Sequence, residues 1–202
     1  MATTYRYLAL GDSYTIGEAV EPEKNFPFQL KERLAGQNLH CEELKIVAKT
    51  GWTTAELQEG IVRAKPKGPY DLVTLLIGVN NQYRRYERSI YPPEFQDLLQ
   101  QAIGFAGGRT ERVVVVTIPD YGVTPFGKEM ADQIYEDLLW YNGEARRQAE
   151  AKGVAVVDIF EISREAAHNP ALLASDNLHP SEHMYRMWVE AIYPVALSRL
   201  KA

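Results

Sequence analysis

Two periods of hydrophobicity alternate along the chain. Short apolar runs at residues 5–10, 44–48, 71–77, 113–118 and 154–157 are bounded by Gly, Pro, Asn or Asp and read as strands. The third run is almost continuously apolar (Leu72, Val73, Leu75, Leu76, Ile77), the pattern of a strand buried on both faces of a parallel sheet. The fourth is the most β-branched. Between the runs the spacing turns helical. A helix is predicted over 26–34, stopping at Gly36, and another over 55–64 behind the capping pair Thr53-Thr54. A third covers 92–106, opened by Pro92-Pro93 and closed by Gly107-Gly108. A long helix is predicted over 128–152, capped by Gly153. The last starts at Pro180, with Trp188, Ile192 and Leu197 on its apolar side. Strand and helix alternate without linker or repeat. That predicts an α/β fold: one domain over residues 1–202, a three-layer α/β/α sandwich on a five-stranded parallel sheet.

Composition adds mainly exclusions. The chain of 202 residues is 46% apolar and 24% charged, ordinary for one globular domain with a sizeable core. A formal net charge of −5 argues against a nucleic-acid partner. The single cysteine, Cys41, precludes an intrachain disulfide and reads as a small buried hydrophobe. No apolar run approaches the roughly 20 residues of a membrane span. The N-terminus lacks a charged segment followed by an apolar one, so the expectation is no signal peptide and a cytoplasmic protein.

The candidate chemistry lies where the strands end. The first apolar run stops at Gly11-Asp12, a turn that glycine's conformational freedom suits, and Ser13 follows at the carboxyl edge of the sheet. A serine is a weak nucleophile without a base and a group to orient that base. Asp176-Asn177-Leu178-His179-Pro180 supplies both, because one turn can bring a carboxylate beside an imidazole three residues on. Pro180 disfavours the α conformation at His179 and suits the first position of a helix, placing His179 at that helix's mouth. The second run ends near Gly51, and the third in Gly78-Val79-Asn80-Asn81. All four segments fall on one edge of a parallel sheet, where they converge in space.

Gly11-Asp12-Ser13-Tyr14, Gly51, Gly78-Val79-Asn80-Asn81 and Asp176-Asn177-Leu178-His179-Pro180 resemble, in order, the four sequence blocks of the SGNH/GDSL hydrolases. Those are serine esterases and lipases with a flavodoxin-like sheet. The resemblance implies Ser13 as nucleophile, His179 as general base and then acid, and Asp176 as the residue orienting it. It implies an oxyanion hole made by the Ser13 and Gly51 backbone N–H groups and the Asn80 side-chain amide. It implies a small-molecule ester substrate and no cofactor. Many members carry Asp where this chain has Asn81, outside the catalytic roles.

Trp52, Tyr83, Tyr86, Tyr121 and Phe126 sit in the same strand-end loops and are expected to rim a substrate cleft suited to an acyl chain or a sugar face. Two other readings remain open. The 11–17 loop is where a flavodoxin-like electron carrier would cradle FMN, and a catalytically inactive binding module would use the same fold. The first leaves Asp176 and His179 without a purpose, and the intact Ser13, Asp176 and His179 argue against the second. His183 stands four residues after His179, a metal-ligand spacing, but no Glu adjoins the first histidine and no metal site is expected. Arg84, Arg85 and Arg88 read as a solvated face or as a docking point for an anionic substrate. Asp120 and Asp158 read as turn and cap residues.

Overall fold

The five apolar runs become the strands β1 (Thr3–Gly11), β2 (Leu39–Ala48), β3 (Leu72–Leu76), β4 (Val113–Val116) and β5 (Ala155–Val157) of a computed structural model that describes residues 3–201. They form one parallel sheet in the order β2-β1-β3-β4-β5. The helices are α1 (Ser13–Ile16), α2 (Phe26–Ala35), α3 (Thr54–Ala64), α4 (Val79–Tyr83), α5 (Tyr91–Phe105), α6 (Ala131–Ala151), α7 (Phe160–Arg164) and α8 (Glu182–Lys201). On one face of the sheet α2 packs against α8; on the other α5 packs against α3 and α6. The fold is the predicted three-layer α/β sandwich.

The strand order fixes where a site can form. The chain moves outward from β1 to β2, then crosses back to β3 on β1's other side. The connections after β1 and β3 therefore leave the sheet in opposite directions, and a crevice opens between them at the carboxyl edge. β3 and β4 are buried along their whole lengths, as their unbroken apolar runs require. β2 is an edge strand and reads differently. It begins five residues before the predicted start, because its outward positions carry His40, Glu42, Glu43 and Lys45 and hide the pattern. A register shift between Tyr5 and Arg6 passes over Glu42 and brings Arg6 opposite Glu43, where the two pair at 2.6 Å.

Two helix starts depart from expectation. Residues 128–130 form a separate 3₁₀ turn, and α6 begins at Ala131 after Met130 takes φ −123° and ψ 22°. At the C-terminal end, Pro180 is not the first helical residue. It sits in an antiparallel bridge with Leu173, flanked by the bonds Ala174 N–H to His179 O (2.8 Å) and Ser181 N–H to Leu172 O (2.9 Å). The backbone stays extended until Ser181, whose carbonyl accepts from Tyr185 N–H. His179 is thus held by a short β-bridge and not at a helix mouth.

Trp188 ties α8 to the sheet edge. Its indole is fully buried, with ring centroids 6.1 Å from Tyr14, 6.5 Å from Phe26 and 5.1 Å from Tyr185. Burying a ring of this size contributes roughly 1.5–3 kcal/mol, and here it joins the helix after His179 to the turn after β1.

Candidate active site

Ser13 opens α1, directly after β1, and is buried, 5% exposed. Asp12 precedes it as the helix cap: its Oδ1 accepts from Tyr14 N–H at 3.0 Å. Gly11 belongs to the strand and has no positive φ, so conformational freedom does not explain it. A Cβ there would collide with the Thr15 hydroxyl and the Leu76 carbonyl, so glycine lets β1, β3 and α1 meet this closely. Asp12 is wholly buried, and its Oδ2 has no hydrogen-bond partner among the described residues. Burial pushes its carboxyl up to about 7, against the opposing hydrogen bond from Tyr14 N–H.

His179 and Asp176 meet as their spacing predicts. His179 Nδ1 lies 2.6 Å from Asp176 Oδ2, while Asp176 Oδ1 accepts from the N–H groups of His179 (2.9 Å) and Leu178 (3.0 Å). Asn177, at φ 58°, makes the left-handed turn that closes this loop. Burial raises the Asp176 carboxyl, but the bonds from the His179 ring and from both backbone N–H groups outweigh it and leave the pKa below the ordinary value. An ionised carboxylate only accepts, so Nδ1 carries a proton toward Asp176, and Nε2 has no hydrogen-bond partner among the described residues. The Tyr14 ring stands 5.7 Å from the imidazole, centroid to centroid.

Ser13, Gly51, Asn80 and His179 open onto one cavity of about 260 Å³, whose remaining walls include Tyr14, Val79 and Leu178. Neither the Ser13 nor the Gly51 N–H donates to another described residue. Gly51 has φ 83°, a conformation that favours glycine. Asn80 Nδ2 donates to Trp52 O at 2.9 Å, which ties its amide to the Gly51 loop and leaves the second N–H of that NH₂ group over. Three residues from three strand ends, each with an N–H to spare, therefore line one cavity.

The supporting residues are less visible in the sequence. Asn81, fully buried, accepts from Thr54 N–H at 3.0 Å and donates to Thr54 Oγ1 at 2.7 Å; that hydroxyl in turn donates to Glu94. The start of α4 is thereby locked to the starts of α3 and α5. An Asp here could not donate to Thr54. Arg84 donates to Gly51 O at 2.6 Å and pairs with Glu56 at 3.2 Å. Arg84 is thus neither an idle solvated charge nor free for an anion. Arg88 likewise pairs with Asp137. The position of Arg84, four residues after Asn80 across a one-turn helix, was the available signal.

The aromatic residues divide. Tyr83, Tyr121 and Phe126 line the 260 Å³ cavity and a second one beyond it. Trp52 lines neither among the described residues, contrary to expectation. Its ring packs on Gly60 of α3, where a Cβ would overlap it, with the Arg63 guanidinium 6.0 Å from its centroid. Tyr86 is exposed outside both cavities. Asp120 caps its own turn through Gly122 N–H and pairs with Arg164, and Asp158 caps Phe160 N–H, as read. His183, His40 and His168 are exposed.

A family model described as the GDSL-like lipase/acylhydrolase family matches residues 9–187 of the chain. No curated protein matches it. Solved structures do. A member of the lipolytic protein G-D-S-L family from Veillonella parvula DSM 2008 superposes with TM-score 0.73 at 16% identity, over 96% of this chain and 98% of that one. A variant of an acetyl xylan esterase from Geobacillus stearothermophilus gives 0.69 at 21%, over 97% of each chain. The lipase/acylhydrolase from Enterococcus faecalis gives 0.67 at 22%, over 96% of each. At these identities the likeness establishes a shared fold.

Proposed function

The chain belongs to the GDSL-like lipase/acylhydrolase family, and on that premise we propose that it is a serine hydrolase that cleaves carboxylic esters through an acyl-enzyme. Ser13 Oγ attacks the ester carbonyl while His179 Nε2 takes the hydroxyl proton. The tetrahedral oxyanion is held by the N–H groups of Ser13 and Gly51 and by the Asn80 amide. Collapse breaks the bond to the alcohol, which leaves with the proton from His179. Water then gives its proton to His179, attacks the acyl carbon and releases the acid, and Ser13 recovers its proton. Asp176 holds the imidazole in the orientation and tautomer these transfers need.

The observation that carries the reading is that His179, paired with Asp176, lines the same cavity as Ser13 and Gly51, whose backbone N–H groups have no other partner among the described residues. The FMN alternative assigns no purpose to that pair. The test is turnover of p-nitrophenyl acetate by the purified, folded protein. A folded protein with no turnover on acetyl to octanoyl esters sinks the proposal.

A further inference from the structure

The second cavity is larger, about 550 Å³, and chemically unlike the first. Tyr83, Tyr121 and Phe126 form the neck between them. Tyr83 and Phe126 are each 53% exposed, with centroids 5.9 Å apart, and Tyr121 is buried behind them. Past the neck the walls are mixed, with Met130 and Ile134 beside a hydrogen-bonded polar chain. Tyr121 Oη donates to Gln82 Oε1 at 2.7 Å, and Gln82 Nε2 donates to Asp137 Oδ2 at 3.1 Å. Asp137 Oδ1 accepts from Gln133 at 3.0 Å and from Arg88 at 2.5 Å. Arg85 and Glu129 complete the polar lining.

An ester bound at Ser13 has two limbs, and the polar part of the outer chamber is poorly suited to an apolar chain. Laying alkyl carbon against Arg85, Glu129, Gln133 and Asp137 would strip water from charged and amide groups and give no hydrogen bond in return. A hydroxylated ring meets both kinds of wall. Its carbon face covers the exposed rings of Tyr83 and Phe126, and its hydroxyls reach the Gln133 amide and the Asp137 carboxylate. Asp137 stays an acceptor, because bonds from Gln82, Arg88 and Gln133 outweigh the effect of burial and keep its carboxyl below the ordinary range.

Building on the esterase reading, we infer that the outer chamber binds the alcohol half of the substrate, a sugar-like hydroxylated ring, while the inner pocket holds a short acyl group. The smaller volume of the inner pocket and its apolar walls Tyr14, Val79 and Leu178 fit the acyl group.

The experiment measures binding apart from catalysis. The Ser13→Ala variant is titrated by calorimetry with a mono-acetylated methyl pentopyranoside and, separately, with methyl octanoate. The glycoside should bind the more tightly. Adding Phe126→Ala or Gln133→Ala should weaken its binding about tenfold, the loss of one stacking face or one hydrogen bond. Both side chains are at the surface, and circular dichroism checks the fold. Tighter binding of methyl octanoate, no binding of the glycoside, or an affinity untouched by both second substitutions overturns the inference. Turnover of p-nitrophenyl acetate by the unsubstituted protein tests the esterase reading separately, so either can fail while the other stands.

Discussion

The inner pocket and the outer chamber share three aromatic side chains but are held in place by different means. Around Ser13 the polar groups are tied by hydrogen bonds to fixed partners: Asn80 to Trp52, Asn81 to Thr54, Arg84 to Gly51, Asp176 to His179. Around the chamber, Gln82, Gln133 and Asp137 share one hydrogen-bond chain, but Phe126 and Tyr83 are half exposed and held by ring packing, and the Arg85 guanidinium hydrogen-bonds only the Met130 sulfur among the described residues, at 3.5 Å. Donors for a developing charge must be in place before the substrate arrives. Recognising an alcohol requires only a surface of the right chemistry. The difference predicts that substitutions in the pocket act on kcat, whereas substitutions in the chamber act on KM.

The largest effect should come from Ser13→Ala and His179→Ala, each lowering kcat about 10⁶-fold on p-nitrophenyl acetate, since a triad works as a unit. Asp176→Ala should cost about 10⁴-fold, leaving an imidazole that is still basic but poorly oriented. Asn80→Ala should lower kcat about 10²–10³-fold with little change in KM, because its donor acts on the transition state. If Asn80→Ala raised KM and left kcat alone, the contrast between pocket and chamber would break at its main point.

Asn81→Ala sharpens the same contrast from the supporting side. It leaves the buried Thr54 N–H unsatisfied, at a cost of about 1–3 kcal/mol, and frees α4 from α3. The expected outcome is a lower unfolding midpoint in urea with a loss of about tenfold in kcat, as for misplacement of a catalytic group. Unchanged stability and rate would reduce Asn81 to an incidental turn residue.

The last effect falls on stability alone and concerns Asp12. Burial raises its carboxyl from the ordinary 3.8 to about 7 in the folded chain. Between those values the folded chain holds a proton that the unfolded chain has lost. This group's stabilisation is therefore full below the unfolded pKa and is lost as pH rises through the folded one. Asn at position 12 keeps an acceptor for Tyr14 N–H and cannot titrate. The unsubstituted protein should lose stability relative to Asp12→Asn by up to about 1.4 kcal/mol per pH unit across that window. Urea unfolding at several pH values reads the difference, and parallel stability curves would count against it.

What the sequence revealed and what it hid follow from distance along the chain. Asp176 and His179 are three residues apart, so their pairing is local and legible. Ser13, Gly51 and Asn80 are far apart, yet each follows an apolar run, and a parallel sheet brings such ends together. The Asn81–Thr54–Glu94 chain joins three helix starts through side chains whose orientation depends on tertiary packing, and no periodicity encodes it. Trp52 misleads for the same reason. Its loop is in the right place, but Gly60 of α3, lacking a side chain, leaves room for its ring. The early part of β2 was hidden because an edge strand keeps charged residues on its open side.

The central claim is that Ser13 is the activated nucleophile of the inner pocket and His179 is its base. Labelling with a fluorophosphonate, followed by peptide mass spectrometry, tests it most directly. One adduct is expected, on Ser13, formed rapidly by the unsubstituted protein and slowed at least about 10³-fold by His179→Ala. Labelling at another residue, or a rate at Ser13 that does not depend on His179, would contradict it.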